Sequence, residues 1–262
     1  MNRVDVKVHA PTATVKLDHA AGGNRLDERM IADLRQALCD LHQERKVRAV
    51  LLTGAGADFC CGIDLQELHR QTQLDALEAM PLWIQQWHRL GELAEQLLRF
   101  PKPLVAAVDG KAWGAGFTLV LACDLVVASH TASFAVPAVR HGIIGGVVAP
   151  LLAFRLGAAV AARLLLTGDP LTARLACRFG LLTQRCSSDL IWVKANQLAG
   201  RVAQSATIPL AATKRLLNET IGETLLTQLS VGAAAGATAC STETAREGLT
   251  ATIEQRLPQW PL

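Results

Sequence analysis

Two short apolar strands, each running straight into a glycine-rich turn, constrain this chain more than any other feature. The first is Arg48 to Thr53 (RAVLLT), followed by Gly54 to Leu65 (GAGADFCCGIDL). The second is Leu104 to Val108, followed by Asp109 to Leu119 (DGKAWGAGFTL), which opens a helix from about Gly114 to Ala122. Uninterrupted apolar strands of this kind suit a parallel sheet covered on both faces by crossover helices. Glycine admits positive φ and lets backbone approach a ligand without a Cβ in the way. A strand–turn–helix also aims free N–H groups and a positive helix end at whatever lies above it. Two such turns side by side can form a two-donor oxyanion hole; the plainer alternative, that they only turn the chain, stays open on pattern alone. Neither is a dinucleotide GxGxxG turn, and no GK[ST] follows to make a P-loop.

The rest of the chain agrees with α/β layering. Val4, Val6 and Val8, then Val15 and Leu17, alternate with polar residues on either side of Ala10-Pro11, which predicts two antiparallel strands. Ile31, Leu34, Leu38 and Leu41 recur at helical spacing, so Asp27 to Gln43 reads as an amphipathic helix. Trp83 to Phe100 is a second, stopped by Pro101-Lys102-Pro103. Asp124 to Ala128 and Ser133 to Val136 are short strands, and from Val147 onward the pattern is almost entirely helical. We divide the chain into a core over 1–189 and a helical region over 190–262. Within the latter, Val231 to Ala239 (VGAAAGATA) is built of small residues that permit close approach, either to its own chain or to another subunit.

Composition removes several classes of function. Half of the 262 residues are hydrophobic and 19% are charged, enough for a large core. A net charge of +3, without a lysine-rich helix or basic stripe, argues against nucleic-acid binding. The N-terminal residues alternate polar and apolar with no signal core, and the uncharged stretch between His141 and Arg155 falls short of the roughly 20 residues needed to span a bilayer. A cytoplasmic protein without membrane attachment is expected. Seven cysteines, none spaced as CxxC, read as buried reduced thiols and not as a metal cage. With no tyrosine present, mechanisms that need a phenol are excluded.

Four linked segments then carry a resemblance. FCCGIDL resembles the crotonase FxxGxDL segment, and PKPLVAAVDGKAWGAGFTLVLACDLVVAS resembles its PKPxIAAVxGxAxGGGxxLxxxCDxxxA segment. SFAVPAVRHGIIGG resembles FxxPExxxGxxPG, and AARLLLTGDPLTARLACRFGLL resembles the AxxLxLTGxxxxAxxAxxxGLV that follows it. In order and spacing the match runs from about Val4 to Asn218, so the chain resembles the crotonase (enoyl-CoA hydratase/isomerase) superfamily. The resemblance implies an α/β fold, a crotonase-like spiral of ββα units with a C-terminal helical region that helps build a homotrimer or a dimer of trimers. It implies an acyl-CoA thioester as substrate and no cofactor beyond the CoA moiety. Carried over by position, the backbone N–H groups of Ile63 and Ala115 would be the oxyanion donors. Gly62, Gly114 and Gly116 would give the thioester carbonyl room, and Asp64 would hold the first turn beside Cys61. The Gly23-Asn24-Arg25-Leu26 turn would cradle CoA, with Arg25 either meeting a phosphate or standing as a solvated charge.

The chain departs from the family pattern where chemistry is done. The two glutamate positions of the hydratases hold Thr118 and Ala138 here; a threonine hydroxyl is no base near neutral pH, and alanine carries no polar group. Gly145 and Gly146 stand where other subfamilies carry an aspartate. Of the remaining groups, His88 and Thr118 are candidate acid/base or hydrogen-bonding residues. His141 is expected to be a hydrogen-bonded structural histidine, and Glu67 and His69 to face solvent. Trp83 and Trp87 either line the acyl pocket or belong to the core, and the segment Gln66 to Pro81 is expected to be a loop shaping that pocket. The expected activity is stabilisation of a thioester enolate, with decarboxylation or an atypical hydration or isomerisation as its outcome. The contrasting expectation is a non-catalytic CoA-thioester-binding or assembly partner.

Overall fold

A computed structural model describes residues 2–261 of the chain. Two strands, β1 (Val4–His9) and β2 (Thr12–Leu17), form an antiparallel pair, with Val6 opposite Val15. Helix α1 (Glu28–Gln43) begins where the Asp27 side chain accepts the Met30 N–H at 2.7 Å, and it buries Ile31, Leu34, Leu38 and Leu41 on one face. Strand β3 (Ala49–Gly54) follows, then helices α2 (Leu65–Gln71) and α3 (Ala76–Arg99). Next come β4 (Leu104–Val108), β5 (Lys111–Trp113), α4 (Ala115–Ala122), β6 (Leu125–Ser129) and β7 (Ser133–Ala135). Helices α5 (Val148–Leu156) and α6 (Ala158–Thr167), strand β8 (Leu171–Thr172), helix α7 (Ala173–Arg178) and strand β9 (Gln184–Cys186) complete the central part. The chain ends in α8 (Ile191–Ala203), α9 (Thr207–Arg215), α10 (Glu223–Cys240) and α11 (Glu243–Ile253).

The large sheet has the order β1-β2-β3-β4-β6-β9 and is parallel from β2 onward; the small sheet has the order β5-β7-β8. Each of β4 and β6 therefore leaves the large sheet and immediately contributes a strand to the small one, which is the ββ step of a spiral. The strands alternate between two cores, as the two-residue period of a strand requires. Leu52, Leu104, Ala106 and Val126 pack into the main core, while Ala49, Leu51, Val105, Ala107 and Val127 form a second one with Ile191, Ala195, Leu198 and Ala199 of α8. The first helix of the C-terminal region thus covers one face of the sheet.

Three expectations are corrected. The segment Gln66 to Pro81 is largely helical, because Asp64 and Asp75 cap two helices within it; the Asp75 carboxylate accepts the Leu77 and Glu78 N–H groups at 2.8 and 3.0 Å. Strands β8 and β9 interrupt the helical run expected from Val147 onward, held by pairing with β7 and β6 and too short for any periodicity to reveal. Cys39 and Cys177 are exposed, whereas Cys60, Cys123, Cys186 and Cys240 are buried. Two of the small residues of α10 serve its own chain, a Cβ on Gly236 lying 2.8 Å from the Trp87 ring and one on Gly232 lying 2.2 Å from the Gly146 carbonyl oxygen, while Val231, Ala234 and Ala235 are exposed. No helix among the described residues is long and apolar enough to cross a membrane.

Candidate active site

The two glycine-rich turns lie against each other and are joined backbone to backbone. Phe59 donates to the Asp109 carbonyl at 2.8 Å, Cys60 to that of Lys111 at 2.9 Å, and Trp113 back to that of Cys60 at 3.0 Å. The Asp58 carboxylate adds a fourth tie by accepting the Lys111 N–H at 2.8 Å. A third turn is fixed to them by the fully buried Asn24, whose amide donates to the carbonyls of Ala55 and Asp58, both at 2.8 Å, while its oxygen accepts the His19 N–H. Leu26 donates to the Gly62 carbonyl at 2.8 Å, and Cys61 donates to that of Gly23 at 2.9 Å. Gly23 and Leu26 therefore brace the first glycine turn from behind and do not line the cavity in front of it.

Only glycine fits at three points of this junction. Gly62 has φ +99°, and a Cβ there would sit 2.9 Å from the Trp113 carbonyl oxygen. Gly114 has φ +52°, with nothing closer to its missing Cβ than the Gly62 Cα at 3.9 Å. A Cβ on Gly116 would approach the Cys60 carbonyl oxygen to 2.2 Å. Gly116 thus makes room for the neighbouring turn and not for a ligand carbonyl, a correction to the sequence reading. The consequence of the packing is that Ile63 and Ala115 follow Gly62 and Gly114 on adjacent backbones. Neither N–H donates to a protein acceptor among the described residues, and Ala115 is the first residue of α4, where no intrahelical partner exists.

Both groups open on a cavity of about 490 Å³. Its floor is made by Cys61, Gly62, Ile63, Gly114 and Ala115, and its inner wall by Trp87, Leu90, Thr118, Val136 and Val148. Arg25 and Lys111 stand exposed at its edge, with the Lys111 ammonium 5.2 Å from the centre of the Trp113 ring. Thr118 is buried, and its hydroxyl has no partner among the described residues. Ala138 and Gly145 also line the cavity. Asp64 is the one carboxylate in its lining among the described residues, and that carboxylate caps α2 by accepting the Gln66 N–H at 3.0 Å.

The expected site residues separate cleanly. Arg25, Cys61, Gly62, Ile63, Asp64, Gly114, Ala115 and Thr118 come together around the cavity. His88 does not: it lies on the outer face of α3, its side chain 68% exposed and its Nε2 3.4 Å from Glu92. One residue beyond Trp87, it is turned by about 100° from the buried face of the helix. Glu67 pairs with Arg70, and His69 is half-buried with its Nε2 3.2 Å from the Thr250 hydroxyl, so His69 does not simply face solvent. Trp83 is core alone, whereas Trp87 is both core and cavity wall.

One contributor was not expected from the sequence, and His141, expected as a hydrogen-bonded histidine, is that and lines the cavity as well. Thr252 and Ile253, at the end of α11, and Gln255 just beyond it close one side of the cavity. His141 is the only imidazole in its lining among the described residues, with Nδ1 2.8 Å from the Thr252 hydroxyl. Burial, and secondarily the Arg140 guanidinium, holds the His141 imidazole below its ordinary value. Burial also raises the Cys61 thiol, with Asp58 adding to the effect, which argues against a thiolate at the cavity floor.

Comparison with known proteins agrees with this arrangement. The Enoyl-CoA hydratase/isomerase family model matches residues 8–261. A Thermus thermophilus protein provisionally named an enoyl-CoA hydratase is 36% identical over 95% of this chain and 96% of its own length. The 1,2-epoxyphenylacetyl-CoA isomerase of Escherichia coli is 32% identical over 94% of each chain. Among solved structures, an enoyl-CoA hydratase from Mycobacterium avium superposes with a TM-score of 0.86 at 28% identity, covering 99% of both chains. The paired glycine turns, the spiral that carries them and these matches place the chain in the enoyl-CoA hydratase/isomerase family.

Proposed function

We propose that this protein binds an acyl-CoA thioester and stabilises its enolate between the backbone N–H groups of Ile63 and Ala115. The observation that carries the reading is the pair of N–H groups without protein acceptors, held on two interlocked glycine turns at the floor of one cavity. Donors fixed in advance where negative charge develops cost no reorganisation during reaction, which is why such holes dominate acyl-thioester catalysis. Arg25 and Lys111 at the mouth supply positive charge for the CoA phosphates, and the apolar wall takes the acyl chain.

With threonine and alanine at the two usual glutamate positions, hydration through a pair of carboxylates is not the expected outcome. Decarboxylation of a malonyl-type thioester needs no base to reach the enolate. Isomerisation or hydration requires an acid/base group at another position, and the imidazole in the cavity lining favours that second course. Exposed apolar side chains on the C-terminal helices, Ile208, Leu216, Leu217 and Val231, suit the subunit contacts of a trimer or a dimer of trimers.

The test is mass-spectrometric turnover of the purified protein against crotonyl-, 3-enoyl-, malonyl- and aryl-CoA thioesters. A product from the malonyl or 3-enoyl member identifies the course of the enolate. Thioester binding without any product favours a non-catalytic binding or assembly partner instead.

A further inference from the structure

Resting on the enolate reading above, we propose that His141 is the residue that takes the proton from the thioester Cα and returns it, replacing the absent carboxylates from a different position in the same wall. Three observations assemble the case. First, the Thr252 hydroxyl donates its single hydrogen to the Gly248 carbonyl at 2.7 Å, so its oxygen must accept from His141, whose Nδ1 is 2.8 Å away. That fixes the neutral imidazole with its proton on Nδ1 and a free lone pair on Nε2. Second, Nε2 has no partner among the described residues, yet it is not one of the sealed, unpartnered polar atoms, and His141 lines the cavity. The basic nitrogen is therefore not enclosed, and the side chain that carries it lines the cavity.

Third, the backbone that carries the imidazole is clamped. A Cβ on Gly248 of α11 would lie 2.4 Å from the His141 carbonyl oxygen, and one on Gly142 would lie 2.0 Å from that of Thr244. This hydrogen-bonded, oriented imidazole facing a reaction cavity is the arrangement a general base requires. Burial, and secondarily the Arg140 guanidinium, disfavours its protonated form, and no carboxylate among the described residues faces it to reverse that. Arg140, its neighbour, turns its guanidinium to Asp169 and the Thr167 carbonyl. On α11, Glu247 is occupied by Arg256, and on α2, His69 is bonded to Thr250. Across the cavity, Asp64 caps α2, and Arg25, Lys111 and the neutral Cys61 complete the ionisable lining. In the step, the Cα–H bond breaks, its electron pair forms the enolate held by Ile63 and Ala115, and the proton passes to Nε2 to give imidazolium; reprotonation at carbon restores the neutral ring.

The test is α-proton exchange of butyryl-CoA and but-3-enoyl-CoA in D2O, followed by mass spectrometry, with Kd for butyryl-CoA measured alongside. The intact enzyme is expected to exchange with an acid limb in kcat/KM that titrates below the ordinary imidazole value. His141→Gln is expected to lose about 100-fold or more in exchange with Kd unchanged. Thr252→Val, which removes the acceptor that positions the ring, is expected to lower kcat and alter the acid limb without raising Kd. Exchange by His141→Gln at the rate of the unaltered enzyme, with the same acid limb, overturns the proposal and leaves the enolate reading standing. If His141→Gln does not fold, the Thr252→Val profile and the presence of the acid limb in the unaltered enzyme decide. Binding of butyryl-CoA with no exchange by the unaltered enzyme overturns the role of His141; only if malonyl-CoA also fails to lose CO2 does the enolate reading fall with it.

Discussion

Gly146 and Gly232 touch through bare backbone: a Cβ on the first would lie 2.0 Å from the carbonyl oxygen of the second, and a Cβ on the second 2.2 Å from that of the first. The loop before α5 and the middle of α10 have closed to a distance that admits no side chain on either partner. Both obstructing atoms are backbone, so no rotamer change relieves the contact. Gly146→Ala is therefore expected to cost about 3 kcal/mol, the upper part of the range for overpacking. Gly146→Asp, which would restore the carboxylate that some related subfamilies carry here, should be worse. Urea unfolding checks both; an Ala variant as stable as the parent would mean that α10 retreats freely.

Ala115→Pro isolates the second oxyanion donor. Proline is tolerated at the first position of a helix because that N–H has no intrahelical partner, and Ala115 opens α4. The substitution deletes one hydrogen-bond donor at the floor of the cavity and leaves the Ile63 N–H in place. Turnover of whichever thioester proves to be the substrate is expected to fall about 10²- to 10³-fold, the loss that follows removal of one such donor. Steady-state kinetics should show the fall in kcat, with much less change in KM.

Much of this site was legible because its signals are local. A strand, a glycine at positive φ and the next residue's N–H lie within a few positions of one another, so Gly62–Ile63 and Gly114–Ala115 could be assigned from the pattern and its resemblance. The glycines' partners could not: that Gly116 makes room for Cys60, and that Gly236 lies on Trp87, depends on which segments meet. His88 was misplaced because a one-residue offset from Trp87 rotates a helical side chain out of the buried face. His141 was underestimated for a related reason. Its orienting partner, Thr252, is separated from it by 111 residues and arrives on a helix whose docking no periodicity encodes. Pro81 lies inside α3, where proline removes a donor to the carbonyl four residues earlier; that residue, Leu77, is 88% exposed, in the first turn of the helix.

Arg25 gives a test of where the CoA phosphates lie. It stands exposed at the cavity mouth on a turn fixed by Asn24. Arg25→Ala is expected to weaken binding of an acyl-CoA about tenfold, equivalent to about 1.4 kcal/mol, just below the range of a buried charge-assisted hydrogen bond as suits an exposed one. The difference should shrink in high salt. An acyl-pantetheine thioester, which lacks the nucleotide phosphates, should bind the two proteins equally by titration calorimetry. Equal weakening of both ligands would show that Arg25 acts on the turn and not on the phosphates.

The cysteines divide into two populations that chemistry can count. Burial pushes the Cys60 and Cys123 thiols up to about 12 and that of Cys240 to about 11, against 9.0 for a free thiol. Neutral, enclosed sulfur is a poor nucleophile. A short iodoacetamide pulse near pH 8 should therefore label the exposed Cys39 and Cys177 first and leave these three unmodified until the chain unfolds, as peptide mass spectrometry would report. The same shifts set an alkaline limit to stability. Between pH 9 and 11 the unfolded chain releases thiol protons that the folded chain retains, so the unfolded state gains and stability falls as pH rises. At pH 10 each of the three thiols should contribute a loss of about 1.4 kcal/mol. Replacing Cys60 with alanine should remove its share of that slope while introducing a small cavity cost that does not depend on pH. An unfolding free energy for the parent that stays flat from pH 8 to 10.5 would contradict the enclosure of these thiols.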